Sequence, residues 1–333
     1  MNDQAAASGA MRHVAWLYQT PDEHLAGIRD FVAAGRSAGE PVLIAVPAGL
    51  LPPGWDLPAD KAGARGLDTT ELGRNPSRLM PLVRAFAEEH TGQNVRVICE
   101  LAWAGRSAPE LSEVARYEAM VNLAFAAMPM TMLCPYDVAG LPGSAISAAC
   151  GSHPWLWQGG SEHDNGDYRA AVNGQLRPQP PLPVPPRASV LSYQDDLRPV
   201  RALVAAEADR AGLPGSRRTD LVIAASEVAA NTLKHTDGAG VVRTWVTADE
   251  ILCQFEDSGY ITDPLAGYGR AANDEPGGQG LWLVNQVCDL AEIRTSALGT
   301  TIRLHMFLAL PPLGLAGRGT AGPPRLGSVG WTS

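Results

Sequence analysis

The sequence SEVAANTLKH at residues 226–235 decides the fold of the C-terminal part of this 333-residue chain. Its apolar residues predict a helix, and the four-residue spacing of Glu227 and Asn231 places both side chains on the same face of that helix. Lys234 and His235 follow within one turn. Taken alone, such a polar stripe is most simply a solvated helix face. Its interpretation depends on the motifs that follow it.

Three short motifs follow this helix in order. DSG at residues 257–259 ends a predicted strand, so the carboxylate of Asp257 lies beside a residue without a Cβ, where the flat ring of an adenine can approach the backbone. GGQG at 277–280 precedes a helix and offers free N–H groups and the positive helix end to phosphate oxygens. GTT at 299–301 opens the last strand, from which a hydroxyl can reach that carboxylate or its bridging water. The set predicts a nucleotide site.

The elements around these motifs predict an α+β domain. Hydrophobic periodicity indicates helices at residues 197–213, 219–236 and 280–290, two strands within 241–259, and a terminal hairpin at 291–308 that turns at Gly299. Helices on one face of a mixed sheet form an α+β sandwich.

In order and spacing, SEVAANTLKH, EDSGY, GGQGLWLVNQVCDL and GTTIRLHMFL resemble the N, G1 and G2 boxes and the terminal strand of the GHKL (Bergerat) ATPases. Within that superfamily they are most similar to the actinobacterial anti-sigma-factor serine kinases. The resemblance implies the cofactors ATP and Mg²⁺, with Asn231 on the metal, Asp257 on the adenine amine and Glu227 as the catalytic base. The other residues that it implies at the nucleotide are Lys234, His235, Gly259, Gly278, Gly280, Leu281 and Thr300.

The chain departs from the superfamily pattern in two respects. The common DxGxG motif is DSGYI here, with Ile261 where the second glycine is expected. The loop at residues 262–276 is acidic and has Arg270 as its single basic residue. Few phosphate contacts are therefore expected from this loop, which weakens the case for turnover more than the case for binding.

The N-terminal part alternates predicted strands and helices. Strands are predicted at residues 13–18, 41–47, 95–103 and 130–137, and helices at 21–39 and 110–127. Such alternation predicts a mainly parallel α/β sandwich. The segments HVAWLY, RVICELAWAGRS, ARYEAMVNLAF, LCPYD and CGSHPWL resemble the MEDS (DcmR-type) sensory domain, which implies a RecA-like core without its phosphate loop. No GxxxxGK[ST] motif is present in the sequence.

Polar residues at the predicted strand ends of this domain form a hypothetical sensory pocket, because ligands bind at the ends of parallel strands. Its members are His13, Glu100, Arg106, Cys134, Tyr136, Asp137 and His153. Each is more simply structural when taken singly, and Cys134 is most simply a small buried hydrophobe. Glu118 and Asn122 share a helix face and could equally cap a neighbouring loop. A metal or thiol switch that uses Cys134, Cys150 and His153 is the less favoured version.

A proline-rich run, QLRPQPPLPVPPR at residues 175–187, separates the two parts and favours an extended spacer over a docking site for a proline-reading module. The predicted organisation is a sensory domain at 11–158, a linker at 159–195, an ATP-binding domain at 196–310 and a disordered tail at 311–333.

Composition limits the partners. A net charge of −9 disfavours direct nucleic-acid binding, since phosphate neutralisation requires clustered Lys and Arg. The five scattered cysteines favour reduced thiols over a disulfide framework. No apolar stretch approaches the length of a membrane span and the N-terminus lacks signal-peptide features, so a cytoplasmic location without membrane association is expected.

The resemblance implies a serine kinase of a partner-switching system, controlled by the N-terminal sensory domain. Its partners would be a sigma factor, which it restrains, and a STAS-type anti-sigma-factor antagonist, which it phosphorylates; a homodimer is also possible. The alternative is a non-catalytic module in which ATP only shapes the surface that binds the partner. A histidine kinase core is less favoured because residues 158–196 offer only His163 as a phosphoacceptor.

Overall fold

The computed structural model describes residues 10–51, 64–170, 182–269 and 279–309. Several sequence predictions fall outside these ranges and stay predictions. They are the contact of Gly278 with the nucleotide, the acidic loop from residue 270 onward, the disordered tail and the first half of the proline-rich run.

The N-terminal domain contains seven strands and four α-helices within the described residues. In chain order these are β1 (Arg12–Tyr18), α1 (Pro21–Ser37), β2 (Val42–Val46), β3 (Ala64–Asp68), α2 (Leu79–Glu89), β4 (Val95–Cys99), α3 (Ala108–Ala124), β5 (Met130–Asp137), α4 (Gly143–Ser152), β6 (Trp155–Gln158) and β7 (Ser161–Asp164). The strands form one sheet in the order β3-β2-β4-β5-β1-β6-β7, parallel except for the pair β6–β7. The prediction of a mainly parallel α/β domain is confirmed.

Helices cover both faces of this sheet. On one face, Trp16 of β1 packs with Ile28 and Phe31 of α1. On the other face, alternate residues of the same strands pack against α2, α3 and α4. Helix α3 begins at a capping box in which Ser107 and Glu110 each satisfy the other residue's backbone N–H, which explains why it starts two residues before the predicted helix.

The C-terminal domain contains β8 (Ser189–Gln194), α5 (Arg198–Arg210), α6 (Gly215–His235), β9 (Ala239–Val246), β10 (Glu250–Asp257), α7 (Gly280–Val287), β11 (Leu290–Ser296) and β12 (Gly299–Phe307). The strand order is β11-β12-β10-β9-β8, and every pairing is antiparallel. The sequence prediction of a mixed sheet is therefore wrong, because the sheet is antiparallel throughout the described residues. Helices α5 and α6 run out and back, so β9 begins beside the end of β8 and must run in the opposite direction.

The spacer between the domains is shorter than the sequence predicts. Strand β7 falls within residues 159–195 but pairs with β6 of the first sheet, and β8 falls within the same range but pairs with β9 of the second. Both strands are short and only partly buried, so their hydrophobic pattern is weak.

The face of the second sheet that points away from its helices carries a buried ionic cluster. His305 of β12 lies between the carboxylates of Glu250, 2.8 Å from Nδ1, and Glu292, 3.0 Å from Nε2. Burial by itself lowers the pKa of His305, but these two hydrogen bonds and charges outweigh it and raise the pKa to about 9. Arg303 and Arg294 complete the cluster around Glu292. His305 is therefore an imidazolium at neutral pH.

We expect stability to fall between pH 6.5 and 9 because of this cluster. The folded-state pKa of His305 lies above its unfolded value, so its contribution is fully present below pH 6.5 and is lost as the pH rises through 9. A rise of the pKa from 6.5 to about 9 corresponds to about 3 kcal/mol of unfolding free energy. Urea denaturation of the wild type, His305→Gln and the exposed-site control His163→Gln at pH 6.5 and 9.5 measures it. If all three proteins lost the same unfolding free energy between pH 6.5 and 9.5, His305 would not be the cause of the pH dependence.

Candidate nucleotide-binding site

The start of helix α7 lies directly against Glu227 and Asn231 of α6. Gly280 is buried, and a Cβ at this position would stand 3.0 Å from Glu227 Oε2 and 3.4 Å from both side-chain amide atoms of Asn231. A larger residue would push the two side chains aside. The glycine thus leaves room for a carboxylate and an amide at the N-terminal end of a helix, where phosphate groups bind well.

Asp257 ends β10, and its carboxylate is held by two donors. The Thr232 hydroxyl donates to Oδ2 at 2.7 Å, and the Gly259 N–H donates to Oδ1 at 2.8 Å. Thr232 in turn accepts a hydrogen bond of 2.9 Å from the Tyr193 hydroxyl. The carboxylate is therefore fixed in orientation and keeps lone pairs that can accept a hydrogen bond from an exocyclic amine.

The backbone beside Asp257 approaches its neighbours closely. A Cβ on Gly259 would lie 2.7 Å from Thr236 Cγ2, and a Cβ on Gly299 would lie 2.3 Å from the Asp257 carbonyl oxygen, at a φ of +130°. The Thr300 hydroxyl donates to the Gly259 carbonyl oxygen at 2.8 Å. Within the described contacts it thus supports this turn, and its predicted contact with the carboxylate of Asp257 or with a bridging water stays a prediction.

Ile261, which replaces the second glycine of the superfamily motif, packs against the hydrophobic core of the C-terminal domain. Its N–H donates to the Thr295 hydroxyl at 3.0 Å, and that hydroxyl lies 2.9 Å from Thr300 Oγ1. An apolar side chain at this position therefore adds core contacts.

Three further predicted nucleotide residues, Lys234, His235 and Leu281, belong to the described part of the chain. Lys234 and His235 are exposed in the last turn of α6. Leu281 is partly buried in the first turn of α7 and packs against the core.

The N-terminal domain contacts α7 and the segment that leads toward it. Asn285 of α7 donates to the Gly267 carbonyl oxygen at 3.0 Å and receives a hydrogen bond of 3.1 Å from Asn75 of the N-terminal domain. Arg78 donates to the Asn285 carbonyl oxygen at 2.8 Å and also to the carbonyl oxygen of Cys288. Asn285 is not among the residues predicted from the sequence, because its partner Asn75 lies far away in the chain.

Tyr268 lies between the two domains and belongs to the hydrophobic core of the N-terminal one. Its ring is 6.3 Å from the ring of Tyr117, and the guanidinium of Arg116 lies 5.5 Å from its centre. Burial raises the pKa of Tyr268 to about 12. The ring is an apolar anchor for the segment before residues 270–278.

A buried ion pair also joins the domains. Arg294 of β11 donates to Glu113 of α3 at 2.7 Å and to Glu292 at 3.0 Å. The side chain of Glu113 is 4% exposed, so the pair is largely protected from solvent.

Loss of this pair should uncouple the two domains. An unpartnered buried charge costs about 3–5 kcal/mol, and the loss here should be smaller because Arg294 keeps Glu292 as a partner. Glu113→Gln is expected to lower the transition temperature and to split one calorimetric unfolding transition into two. Glu88→Gln, which changes an exposed carboxylate on α2, is the matched control. Identical thermograms for the two variants would argue against a coupled interface.

Four of the seven residues of the predicted sensory pocket lie together in the structure, and the other three lie elsewhere. His13, Cys134 and His153 lie together with Glu118, and the Tyr136 ring meets the His153 ring edge-on at 5.7 Å. Burial lowers the pKa of His13 to about 4 and that of His153 to about 3, the latter with help from His13, so both imidazoles are neutral at pH 7. Burial also raises the pKa of Glu118.

Three predicted pocket residues lie elsewhere. Glu100 accepts hydrogen bonds from Tyr18 and His24, on the α1 side of the sheet. Asp137 accepts from the backbone N–H groups of residues 139 and 140. Both leave the sheet on the face opposite to Cys134 because successive strand residues alternate.

Arg106 is the third of these residues. It donates to the carbonyl oxygens of Gly73 and Arg74 and stacks on Trp103, with 3.6 Å between its guanidinium and the ring centre. Burial lowers its pKa to about 9.

The C-terminal fold and site define an ATPase domain of the histidine kinase type. Residues 191–306 match the family described as histidine kinase-like ATPase domain, and residues 12–154 match the family described as MEDS, the methanogen/methylotroph, DcmR sensory domain. The chain therefore joins a MEDS domain to a histidine kinase-like ATPase domain, as the sequence motifs predict. An ATPase domain implies ATP binding. The comparison with curated proteins gives no match.

Across the described residues, none of the helices has both the length and the apolar character that crossing a membrane requires.

Proposed function

We propose that this protein is a regulatory serine kinase of a partner-switching system and that its N-terminal domain controls its output. The observation that carries the proposal is the placement of Glu227 and Asn231 against the start of α7, together with the anchored carboxylate of Asp257 at the end of β10. One end of the site suits phosphate and metal, and the other suits a base ring.

Different residues of the site would bind the nucleotide and assist phosphoryl transfer. Asn231 would hold Mg²⁺, and Asp257 would accept a hydrogen bond from the adenine amine. When bound, ATP would supply the γ-phosphoryl group and leave as ADP, and Mg²⁺ would neutralise the charge of the phosphates. Glu227 takes the proton from the attacking serine hydroxyl, an effect worth about 10²–10⁴ in rate. Room at Gly280 keeps Glu227 and Asn231 side by side.

The surroundings of His163 favour a serine kinase over a histidine kinase. His163 is exposed on β7, a four-residue edge strand, whereas a phosphoacceptor histidine needs a long dimerisation helix.

A non-catalytic ATP-dependent binder is the second candidate, because Ile261 gives the turn after Asp257 an apolar packing role where the superfamily has glycine.

The junction between the domains supports control by the N-terminal domain. Tyr268 before residues 270–278 and Asn285 after them both contact that domain, so a change in its shape would move the described residues on both sides of 270–278. The proposed partners are a sigma factor and its STAS-type antagonist. The proposed location is the cytoplasm.

Phosphoryl transfer tests the proposal directly. The full chain is incubated with Mg²⁺ and γ-labelled ATP in the presence of candidate STAS-type antagonist proteins, and acid-stable phosphoserine is measured on the antagonist. Label on serine supports the kinase. ATP binding without transfer to any candidate would leave the non-catalytic binder, and acid-labile label on the chain itself would point to a histidine kinase.

A further inference from the structure

Four buried side chains converge in the N-terminal domain, on the face of the sheet covered by α3 and α4. They are His13 of β1, Glu118 of α3, Cys134 of β5 and His153, which follows α4. None is more than 1% exposed. Each offers one nitrogen, oxygen or sulfur atom, and all four atoms lie within 4.8 Å of one another. This cluster is distant in sequence from every residue assigned to the nucleotide.

The separations within the cluster match those of metal ligands. Nε2 of His13 lies 3.2 Å from Oε2 of Glu118 and 3.4 Å from Sγ of Cys134. Oε2 of Glu118 lies 3.5 Å from the same sulfur and 3.7 Å from Nε2 of His153. A tetrahedral zinc ion with bonds of about 2.0–2.3 Å holds its ligands about 3.3–3.8 Å apart. These four separations lie within about 0.1 Å of that range, and all four ligand atoms lie within 4.8 Å of one another.

Both imidazoles are oriented with Nε2 toward the centre of the cluster. Nδ1 of His13 lies 3.1 Å from the amide oxygen of Asn122, and Nδ1 of His153 lies 2.8 Å from the carbonyl oxygen of Ala149. Because these oxygens only accept, Nδ1 carries the proton in each ring and Nε2 presents a lone pair. Metal-ligating histidines characteristically donate their second N–H to such an oxygen.

The cluster brings together several atoms that can bind a cation, and one of them has no hydrogen-bond partner. Among the described residues, Nε2 of His153 has no hydrogen-bond partner, although it is fully buried. Two imidazole nitrogens, a sulfur and a carboxylate oxygen thus lie within 4.8 Å of one another, and the Cys134 thiol supplies the one hydrogen bond that the sulfur donates to Glu118. A divalent cation would satisfy all four, and a thiolate from Cys134 with the carboxylate of Glu118 would cancel its charge, which removes the main penalty for burying an ion.

We propose that His13, Glu118, Cys134 and His153 form a binding site for one divalent transition-metal ion, Zn²⁺ in its native state. The mixture of thiolate, imidazole and carboxylate selects zinc over magnesium or calcium, which prefer all-oxygen sites. Four protein ligands in a buried position give a closed site, without a free coordination position for a substrate.

Elemental analysis of the untagged full chain, followed by replacement of the ion with Co²⁺, tests the site. We expect about one zinc per chain and, with Co²⁺, a thiolate-to-cobalt charge-transfer band with the strong visible bands of tetrahedral coordination. Cys134→Ser should abolish the charge-transfer band. Cys150→Ser, which changes a half-exposed thiol on α4 outside the cluster, should keep it. Asn122→Leu should weaken zinc binding about 10–100-fold at unchanged stoichiometry.

Several results would overturn the proposal. They are folded wild-type protein that takes up neither zinc nor cobalt, bound cobalt without a charge-transfer band, and a band lost in Cys150→Ser but kept in Cys134→Ser. If Cys134→Ser does not fold, the wild-type cobalt spectrum and the Asn122→Leu affinity decide the question.

Discussion

Replacement of Asp257 by asparagine is expected to weaken ATP binding by about 10- to 100-fold. Asparagine has one acceptor oxygen where aspartate has two, and both carboxylate oxygens already hold a donor, from Thr232 and from the Gly259 N–H. One of these donors or the adenine amine must therefore face an NH₂ group. Loss of a hydrogen bond to a charged group costs about 1.5–3 kcal/mol. Calorimetric titration with MgATP measures the change.

Asp249→Asn is the matched control for this variant. Asp249 is exposed in the turn before β10, at the end of the strand opposite to Asp257, and the substitution makes the same change in charge. We expect unchanged ATP affinity for the control. Equal affinity of Asp257→Asn and the wild type, with both proteins folded by circular dichroism, would show that this carboxylate does not contact the nucleotide.

Replacement of Glu227 by glutamine should separate binding from transfer. Glutamine keeps the shape next to Gly280 but cannot accept the proton of a serine hydroxyl, so the rate of phosphoryl transfer should fall about 10²–10⁴-fold. The dissociation constant for MgATP should change little, because Asn231 and Asp257 remain. Single-turnover transfer and calorimetry on the same sample measure the two quantities.

Asp220→Asn serves as the control on the same helix. Asp220 precedes Glu227 by seven residues, so it lies near the same helix face two turns away. Its transfer rate should equal that of the wild type. A Glu227→Gln variant as fast as this control would remove Glu227 from the chemistry and leave its role as a packing partner of Gly280.

Much of the nucleotide site could be predicted from local sequence. A four-residue spacing on a helix places Glu227 and Asn231 on one face, and glycine-rich turns mark close backbone approaches at Gly259 and Gly280. The support of Asp257 by Thr232 was not predicted, because it depends on how α6 packs on the sheet. Strand β8 was not predicted, since its residues fall in the predicted linker. The prediction of a mixed sheet was wrong because strand direction follows from tertiary packing, which local patterns do not contain.

In the N-terminal domain, local sequence patterns did not predict which polar residues lie together. Glu100 follows β4 and Asp137 ends β5, as predicted, but Arg106 and His153 do not lie at strand ends, and the sequence did not separate the two faces of the sheet. Cys134 faces α3, whereas Glu100 faces α1, and the predicted pocket therefore divides. The pair Glu118 and Asn122 was visible as a helix face. Its meaning required His13, about a hundred residues away in the chain.

Phosphoserine formation tests the central claim most directly, when it is measured together with MgATP binding on one preparation of the full chain and a STAS-type antagonist. The account predicts saturable MgATP binding and serine-linked phosphate on the antagonist, with transfer, but not binding, lost in Glu227→Gln. Binding that is insensitive to Asp257→Asn, or label that appears on histidine of the chain itself, would contradict it.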